Sequence, residues 1–295
     1  AWNQVLGVGS ARDAAYTLVN YPTEMQAKNP AECMPKVWAA SGRGGYIFRN
    51  EWKGVDDVVA QVFLKTMPPA GWNHPNAGTL RIMGLARRWA IEGVENPKAG
   101  ERFFENVVWL PADPVREGEG AEPVFFQAQP DGSGVLTADM SRVYAGYREE
   151  EIGGRKVRTP VDLGIKGLRS FAADYSGASG APALFVLVDK IAGGQEKLWL
   201  WQLPEEKAGA QVALEGSAFS IGYQGGSLKA TFVAPADLKL SWAKGSKEVR
   251  TVISSVRMTY GTKTVRLNAI QAKGGDKGEA GAVSYTHLRA HETVL

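Results

Sequence analysis

The stretch Tyr46–Gly93, YIFRNEWKGVDDVVAQVFLKTMPPAGWNHPNAGTLRIMGLARRWAIEG, decides the fold of this 295-residue chain. Its apolar residues come in short runs separated by Asn, Asp, Gly and Pro. Runs of that length bounded by turn chemistry read as β-strands, three or four of them here, arranged around one polar loop. The loop is Gly71-Trp72-Asn73-His74-Pro75-Asn76-Ala77-Gly78. Of the three histidines, His74 alone lies outside the C-terminal tail, which holds His287 and His291.

The same texture continues outward. Within the opening stretch the strands are Tyr46–Asn50, Asp57–Thr66, Thr79–Leu85 and Arg88–Glu92. Candidate strands follow at Val107–Leu110, Val124–Gln129, Gly134–Met140, Arg142–Tyr147, Gly167–Asp174 and Ala183–Ile191. The series ends with Lys197–Leu203, Ala210–Leu214, Ala218–Tyr223, Ser227–Val233, Leu238–Trp242, Arg250–Tyr260 and Thr264–Ile270. Strands at this spacing predict an all-β fold, a large antiparallel β-sandwich, and argue against βαβ units. Leu184–Val188 is apolar throughout, which predicts a strand covered on both faces. Trp199 and Trp201 sit at alternate positions and therefore share a face.

The ends differ from this core. Residues 1–43 are the least β-like part, Ala-rich and of mixed periodicity around Ala11–Val19; the Asn20-Tyr21-Pro22 turn stops any helix there, since the residue before proline avoids the α region. They read as the end of a helical domain and a linker, residues 44–272 as the sandwich, and 273–295 as a disordered tail. Val283–Thr293, VSYTHLRAHET, resembles the translation of a transposase-type sequencing adapter on a metagenomic fragment, and it is expected to lie outside the fold. The i, i+4 pair His287/His291 is for that reason no metal motif. The chain starts at Ala1 with neither initiator Met nor signal-peptide pattern and reads as clipped at both ends.

Composition narrows the function classes. Apolar content of 44% and charged content of 22% are those of a globular chain. No run of about 18 apolar residues exists, so no membrane span is predicted. A net charge of +3, with its basic residues scattered, makes no nucleic-acid footprint but is compatible with an anionic polysaccharide. The single Cys33 excludes an intrachain disulfide. No P-loop, strand-anchored G-x-G-x-x-G or G-x-S-x-G occurs, which leaves nucleotide binding and a serine triad without support.

The order of motifs resembles the β-sandwich of heparinase II/III-like polysaccharide lyases. Phe48-Arg49-Asn50-Glu51-Trp52 is similar to that family's F-R-S/N-x-W strand, and Asn76-Ala77-Gly78-Thr79-Leu80 to the end of its His-containing loop. Gly132–Asp139 followed by Tyr144 resembles a G-x-G-x-x-x-A-D…Y strand pair. Leu168-Arg169-Ser170-Phe171, followed by Phe185–Ile191, resembles R-x-F/V…V-V-V-D-R-I. Trp199–Pro204 stands where the family has an aromatic strand that often carries a histidine. The likeness covers roughly residues 40–270.

The resemblance implies β-elimination on uronic-acid glycans. A base removes the proton α to the C6 carboxylate, a donor neutralises that carboxylate, and an acid protonates the leaving C4 oxygen. It further implies that a helical toroid supplies a Tyr and an Asn or His, and that the sandwich packs on that N-terminal domain and contributes a loop histidine. His74 takes that role here, as general base or acid or as a charge-neutralising donor; a loop histidine held by backbone contacts is the alternative. Arg49, Trp72, Asn73 and Asn76 are the candidate substrate-binding residues. Arginine's planar fork suits a carboxylate, although an ion pair of Arg49 with Asp56, Asp57 or Glu92 is the commoner use. Trp72, Trp199 and Trp201 offer sugar-stacking rings, or core. Asp189 reads as a strand-end hydrogen-bonding residue. Asn76 replaces the usual Asp, Trp72 a further His, and Gln202 a ligand His, so neither a metal nor a cofactor is expected.

Two readings follow. One is a fragment of a periplasmic or secreted lyase acting on an anionic polysaccharide or oligosaccharide, inactive in isolation, with its site between toroid and sandwich. The other is a non-catalytic sandwich that binds carbohydrate or a protein.

Overall fold

The structure is a computed structural model that describes residues 26, 28–67, 76–91, 102–113, 115, 119–204, 209–223, 225–235, 238–253, 259–273 and 280–290. The chain divides into two compact units, Ala1–Met34 and Pro35–Leu295. In the first, the described residues form one short helix, α1 (Pro30–Cys33), whose Asn29 cap accepts from Ala31 N–H at 3.1 Å. No helix among the described residues is long and apolar enough to cross a membrane.

The second unit is antiparallel β-structure throughout its described strands. A five-stranded sheet runs in chain order through β1 (Val37–Ala40), β2 (Gly45–Arg49), β3 (Val59–Phe63), β4 (Thr79–Gly84) and β5 (Arg87–Ala90). Next come β6 (Val108–Trp109), β7 (Glu122–Ala128), β8 (Gly134–Asp139), β9 (Gly146–Ile152), β10 (Arg155–Val161), β11 (Lys166–Asp174) and β12 (Ala183–Ala192). The remainder are β13 (Leu198–Gln202), β14 (Gln211–Glu215), β15 (Ala218–Tyr223), β16 (Gly226–Ala234), β17 (Lys239–Ile253), β18 (Thr259–Lys273) and β19 (Ala280–Ala290). They assemble as an eight-stranded sheet, β14-β15-β16-β19-β12-β11-β8-β7, a four-stranded sheet, β17-β18-β13-β6, and the hairpin β9-β10.

Alternating burial shows why these sequences layer. In β11 the buried residues are Gly167, Arg169, Phe171 and Ala173, and in β12 they are Ala183, Phe185, Leu187, Asp189 and Ile191. That inner face of the eight-stranded sheet meets both smaller sheets. Phe48 of β2 packs on Phe171 at 5.5 Å, Trp199 of β13 on Phe232 at 4.8 Å, and Trp201 on Phe219 at 5.5 Å. Each fully buried ring of this kind contributes about 2–3 kcal/mol. The fold is the expected β-sandwich.

Several local expectations are corrected. Arg142–Tyr147 is not one strand: the Asp139 carboxylate accepts from Ser141 N–H at 2.8 Å and turns Ser141–Tyr144 into a 3₁₀ helix, and the strand begins at Gly146. β10 escapes a hydrophobic-pattern reading because Arg155–Val161 (RKVRTPV) is mostly polar or charged and carries a proline; the Gly153-Gly154 turn, with φ of +60° and +75°, creates it. Leu184, Val186 and Val188 are only half-buried, so β12 is covered fully on one face rather than two. The sheet starts at Val37, inside the segment expected as linker.

The tail differs most. The sequence reading leaves 273–295 outside the fold, whereas the structure pairs Ala280–Ala290 with β12 on one side and β16 on the other. Two facing strand edges present free N–H and C=O rows, and any extended segment of suitable length satisfies both. Pairing of this kind rests on backbone groups and is indifferent to where the sequence comes from.

Candidate functional site

Trp72, Asn73 and His74 lie outside the described residues, which resume at Asn76. The segments on either side of the loop are described, and they are firmly held. β3 and β4 pair at Phe63↔Thr79, so the loop spans one end of the five-stranded sheet. At its start, Leu64 N–H donates to Gly44 O at 2.7 Å, and Leu64 O accepts from Ala121 N–H at 2.8 Å. At its exit, Gly78 N–H donates to Phe63 O at 2.7 Å and Thr79 N–H to Asn76 O at 3.1 Å. Gly78 has φ +84°, and a Cβ there would collide with Met140 Cε. Only glycine fits that turn without strain.

Beneath the exit lies a buried polar cluster drawn from distant segments. Arg169 of β11 is paired with Asp189 of β12 through both ends of the fork, Nε to Oδ1 at 2.6 Å and Nη2 to Oδ2 at 2.8 Å. Its remaining nitrogen, Nη1, donates to Gly78 O at 2.5 Å and to Asn106 O at 2.7 Å. Burial works against the Arg169 charge, but the Asp189 carboxylate more than offsets it and the guanidinium stays cationic. Asp189 is thus an interior ion-pair partner within β12, which runs on to Ala192, rather than a strand-end group.

Asn106 joins the layers. Its Nδ2 donates to Leu80 O at 2.6 Å and Ile91 O at 2.5 Å, and its Oδ1 accepts from Gln202 N–H at 2.5 Å. Its own N–H donates to Thr79 Oγ1 at 3.2 Å. Every polar atom of the amide is in use. The neighbouring Glu105 carboxyl is pushed up to about 7 by burial, against the pull of the Thr79 hydroxyl and of Arg81, Arg102 and Lys65. A carboxyl of that kind exchanges its proton near neutral pH.

The remaining predicted residues separate from this end. Arg49 sits at the far end of β2, since the loop end is marked by Gly45↔Phe63 and the other by Arg49↔Val59. Four residue steps along a strand put about 13 Å between the two ends. Of the partners weighed for it, Arg49 takes Asp57, at 2.6 Å, while its Nε donates to Glu51 O and its plane lies 4.0 Å over Trp52. Burial raises the Asp57 carboxyl, but the N–H groups of Gly54 and Lys53 and the Arg49 guanidinium outweigh it and hold the carboxyl low. Asn76 is 8% exposed. Trp199 and Trp201, weighed above as stacking platforms, are buried core, and Trp201 Nε1 donates to Trp89 O at 2.8 Å. Gln202, buried as well, donates through Nε2 to Phe103 O at 2.8 Å. Among the described residues no group of three or more His, Cys, Asp or Glu could hold a metal ion.

Sequence reasoning overlooked Asn106 and Glu105 and gave Arg169 no role. A signal existed: Glu105-Asn106 interrupts an otherwise apolar run, Phe103–Leu110 (FFENVVWL). A polar pair there is buried with partners or not tolerated. Arg169 and Asp189 likewise fall on the apolar phase of their strands, with Phe171 and Leu187.

Comparison with known proteins gives a coherent result. No protein-family model matches the chain, and no curated protein matches it in sequence. Solved structures do. Heparan sulfate lyase HepC from Pedobacter heparinus is similar with a TM-score of 0.60 and 14% identity, over 99% of this chain and 41% of that one. A heparinase III gene product gives 0.54 and 13%, over 99% and 40%, and another heparinase III 0.51 and 13%, over 90% and 37%. The chain thus spans about two fifths of the length of these structures. At such identities the likeness is one of fold: this chain has a heparinase-like β-sandwich.

Proposed function

We propose that the chain is the sandwich portion of a polysaccharide lyase that cleaves uronic-acid-containing glycans by β-elimination. His74 takes or returns a proton at a site shared with an N-terminal helical domain. In the reaction the C5–H bond breaks as a base takes the proton, and the electron pair becomes the C4=C5 double bond. The C4–O bond then breaks, and the departing oxygen receives a proton. A donor facing the C6 carboxylate stabilises the charge that builds on it. Trp72 and Asn73 contact the sugar in this reading. Arg49, paired with Asp57 at the opposite sheet end, serves the scaffold. A secreted or periplasmic location follows from polymeric, anionic substrates.

The observation that supports this reading is the fold likeness to lyases along nearly the whole chain. The test uses the gene with its flanking sequence, expressed as encoded, and follows the ultraviolet absorbance of unsaturated uronate. Heparan, chondroitin, alginate, ulvan and pectic substrates are compared, for wild type and His74→Ala. Absorbance on one glycan that collapses in the variant is expected. Absorbance untouched by the substitution would remove His74 from the mechanism. Binding without absorbance would favour the non-catalytic reading, for which Trp72 and Asn76, in place of the family's usual His and Asp, speak.

A further inference from the structure

We propose that the outer part of the β17–β18 hairpin is a binding surface for the anionic glycan chain, a role that rests on the lyase reading above. β17 is the edge of the four-stranded sheet, and β18 pairs with β13 over Ala269–Lys273 alone. From Lys244↔Asn268 to Ile253↔Thr259, ten rungs, the two strands pair only with each other among the described strands. Nine steps of such a ladder make an arm about 30 Å long. Its root lies at the polar cluster. Ala269 pairs with Gln202, whose N–H donates to Asn106 Oδ1 at 2.5 Å, and Asn106 in turn holds Thr79 and Leu80. A two-stranded ribbon standing alone is marginally stable in water, so a partner lying along it adds to its stability.

Register assembles a charge that the sequence leaves scattered. Of the seven rungs from Lys244↔Asn268 to Arg250↔Thr262, five carry a cation: Lys244, Arg266, Lys247, Lys263 and Arg250, in that order along the ladder. The one acid is Glu248, opposite Thr264. These fourteen residues hold a net +4 in a chain whose total is +3, so everything outside them sums to −1. The hairpin β9–β10 shows the ordinary alternative. It too is a separate two-stranded sheet, but its Lys156 stands opposite Glu151 and its Arg158 opposite Glu149, so the ladder neutralises itself. No rung of the arm sets opposite charges across from each other. A line of like charge about 20 Å long is complementary to a linear polyanion and raises its local concentration. At the root, exposed Lys244 has its Nζ 4.9 Å over the ring of half-buried Trp242. An indole beside a cation suits a sugar ring that bears a carboxylate.

Three proteins, expressed from the gene with its flanking sequence, test the proposal. They are the wild type, the arm variant Lys247→Gln/Arg250→Gln/Lys263→Gln/Arg266→Gln, and the matched control Arg148→Gln/Arg155→Gln/Lys156→Gln/Arg158→Gln on β9–β10. The probes are heparan sulfate, alginate and polygalacturonate, each as long chains and as tetrasaccharides. For one long chain, Kd is expected to rise on the order of 10- to 100-fold in the arm variant and at most a few-fold in the control, while its tetrasaccharide binds all three proteins alike. Wild-type affinity for that chain should fall by a similar factor between about 50 and 200 mM salt. That readout needs no variant and stays decisive if the arm variant fails to fold. Equal losses in arm variant and control, no loss in the arm variant, or salt-independent binding overturns the proposal. A wild type that binds none of the long chains overturns it too, whether or not it takes up DNA instead. Binding that depends on the arm, without cleavage of any glycan, sinks the lyase reading and leaves the arm standing. Cleavage with the same KM on long chains in wild type and arm variant keeps the lyase and overturns the arm.

Discussion

Two arginine–carboxylate pairs in this sandwich have the same contact distance and different consequences. Arg49–Asp57 and Arg169–Asp189 both close at 2.6 Å, but their side chains are 21% and 5% exposed in the first and 3% and 3% in the second. The first joins the end of β2 to the β2–β3 connection, residues eight apart, beside Trp52 and in touch with water. The second crosses between long strands and extends to the other layer through Gly78 and Asn106. Distance says little about what an ion pair does. Its burial, and what else its atoms hold, say much more.

The largest effect that sharpens this contrast is expected from Asp189→Ala, which strands a buried guanidinium. It should cost about 3–5 kcal/mol, read as a fall in the urea midpoint. Arg169→Met/Asp189→Leu should cost less than the single change. If Asp189→Ala costs no more than the matching change at Asp57, the contrast fails.

Next comes pH. Glu105 titrates from an ordinary 4.5 in the unfolded chain to about 7 in the fold. The folded state keeps its proton longer, so the stability this group contributes is present below pH 4.5 and is lost as pH rises through 7. Relative to Glu105→Gln, the wild type should lose roughly 3 kcal/mol across that window, and parallel stability–pH curves would contradict it.

Gly78→Ala forces a left-handed alanine against Met140 and should cost about 2 kcal/mol. Gly153→Ala, at positive φ but with open space around it, should cost less. Thermal midpoints of the two variants decide the order.

The smallest effect belongs to the half-buried pair. Asp57→Asn should cost about 1 kcal/mol. The folded Asp57 carboxyl lies below its ordinary 3.8, so its contribution is present above that value and fades as pH falls through the folded one. This slope has the opposite sign to that of Glu105, and stability curves of the two variants over the acid range should diverge in opposite directions.

The contrast between the pairs also marks how far sequence reading reaches. Strands such as Gly134–Asp139 and Ala218–Tyr223 were legible because half-buried antiparallel strands alternate, and Asp57 stood among the partners weighed for Arg49 because it is nearby in sequence. Arg169–Asp189 needed the register between β11 and β12, which no local pattern carries. Trp199 and Trp201 alternate as a binding platform would; only the layer formed by Phe219 and Phe232 makes them core. β10 was missed because its pairing with β9 rather than a hydrophobic pattern of its own marks it, and β19 because the tail was set aside on its resemblance to an adapter translation. At the loop exit the sequence signals the burial of Asn106 and Arg169 but not their meeting with Gly78, which comes about only once both layers are folded.

The proposed eliminative cleavage aided by His74 is tested most directly by weighing the products. A defined uronate-containing oligosaccharide is incubated with the wild-type gene product and with His74→Ala, and the fragments are measured by mass spectrometry. Elimination gives two fragments from the wild type whose masses sum to that of the parent, one of them an unsaturated uronate, and intact substrate is expected from the variant. Fragments whose masses sum to the parent plus one water would mean hydrolysis and contradict it.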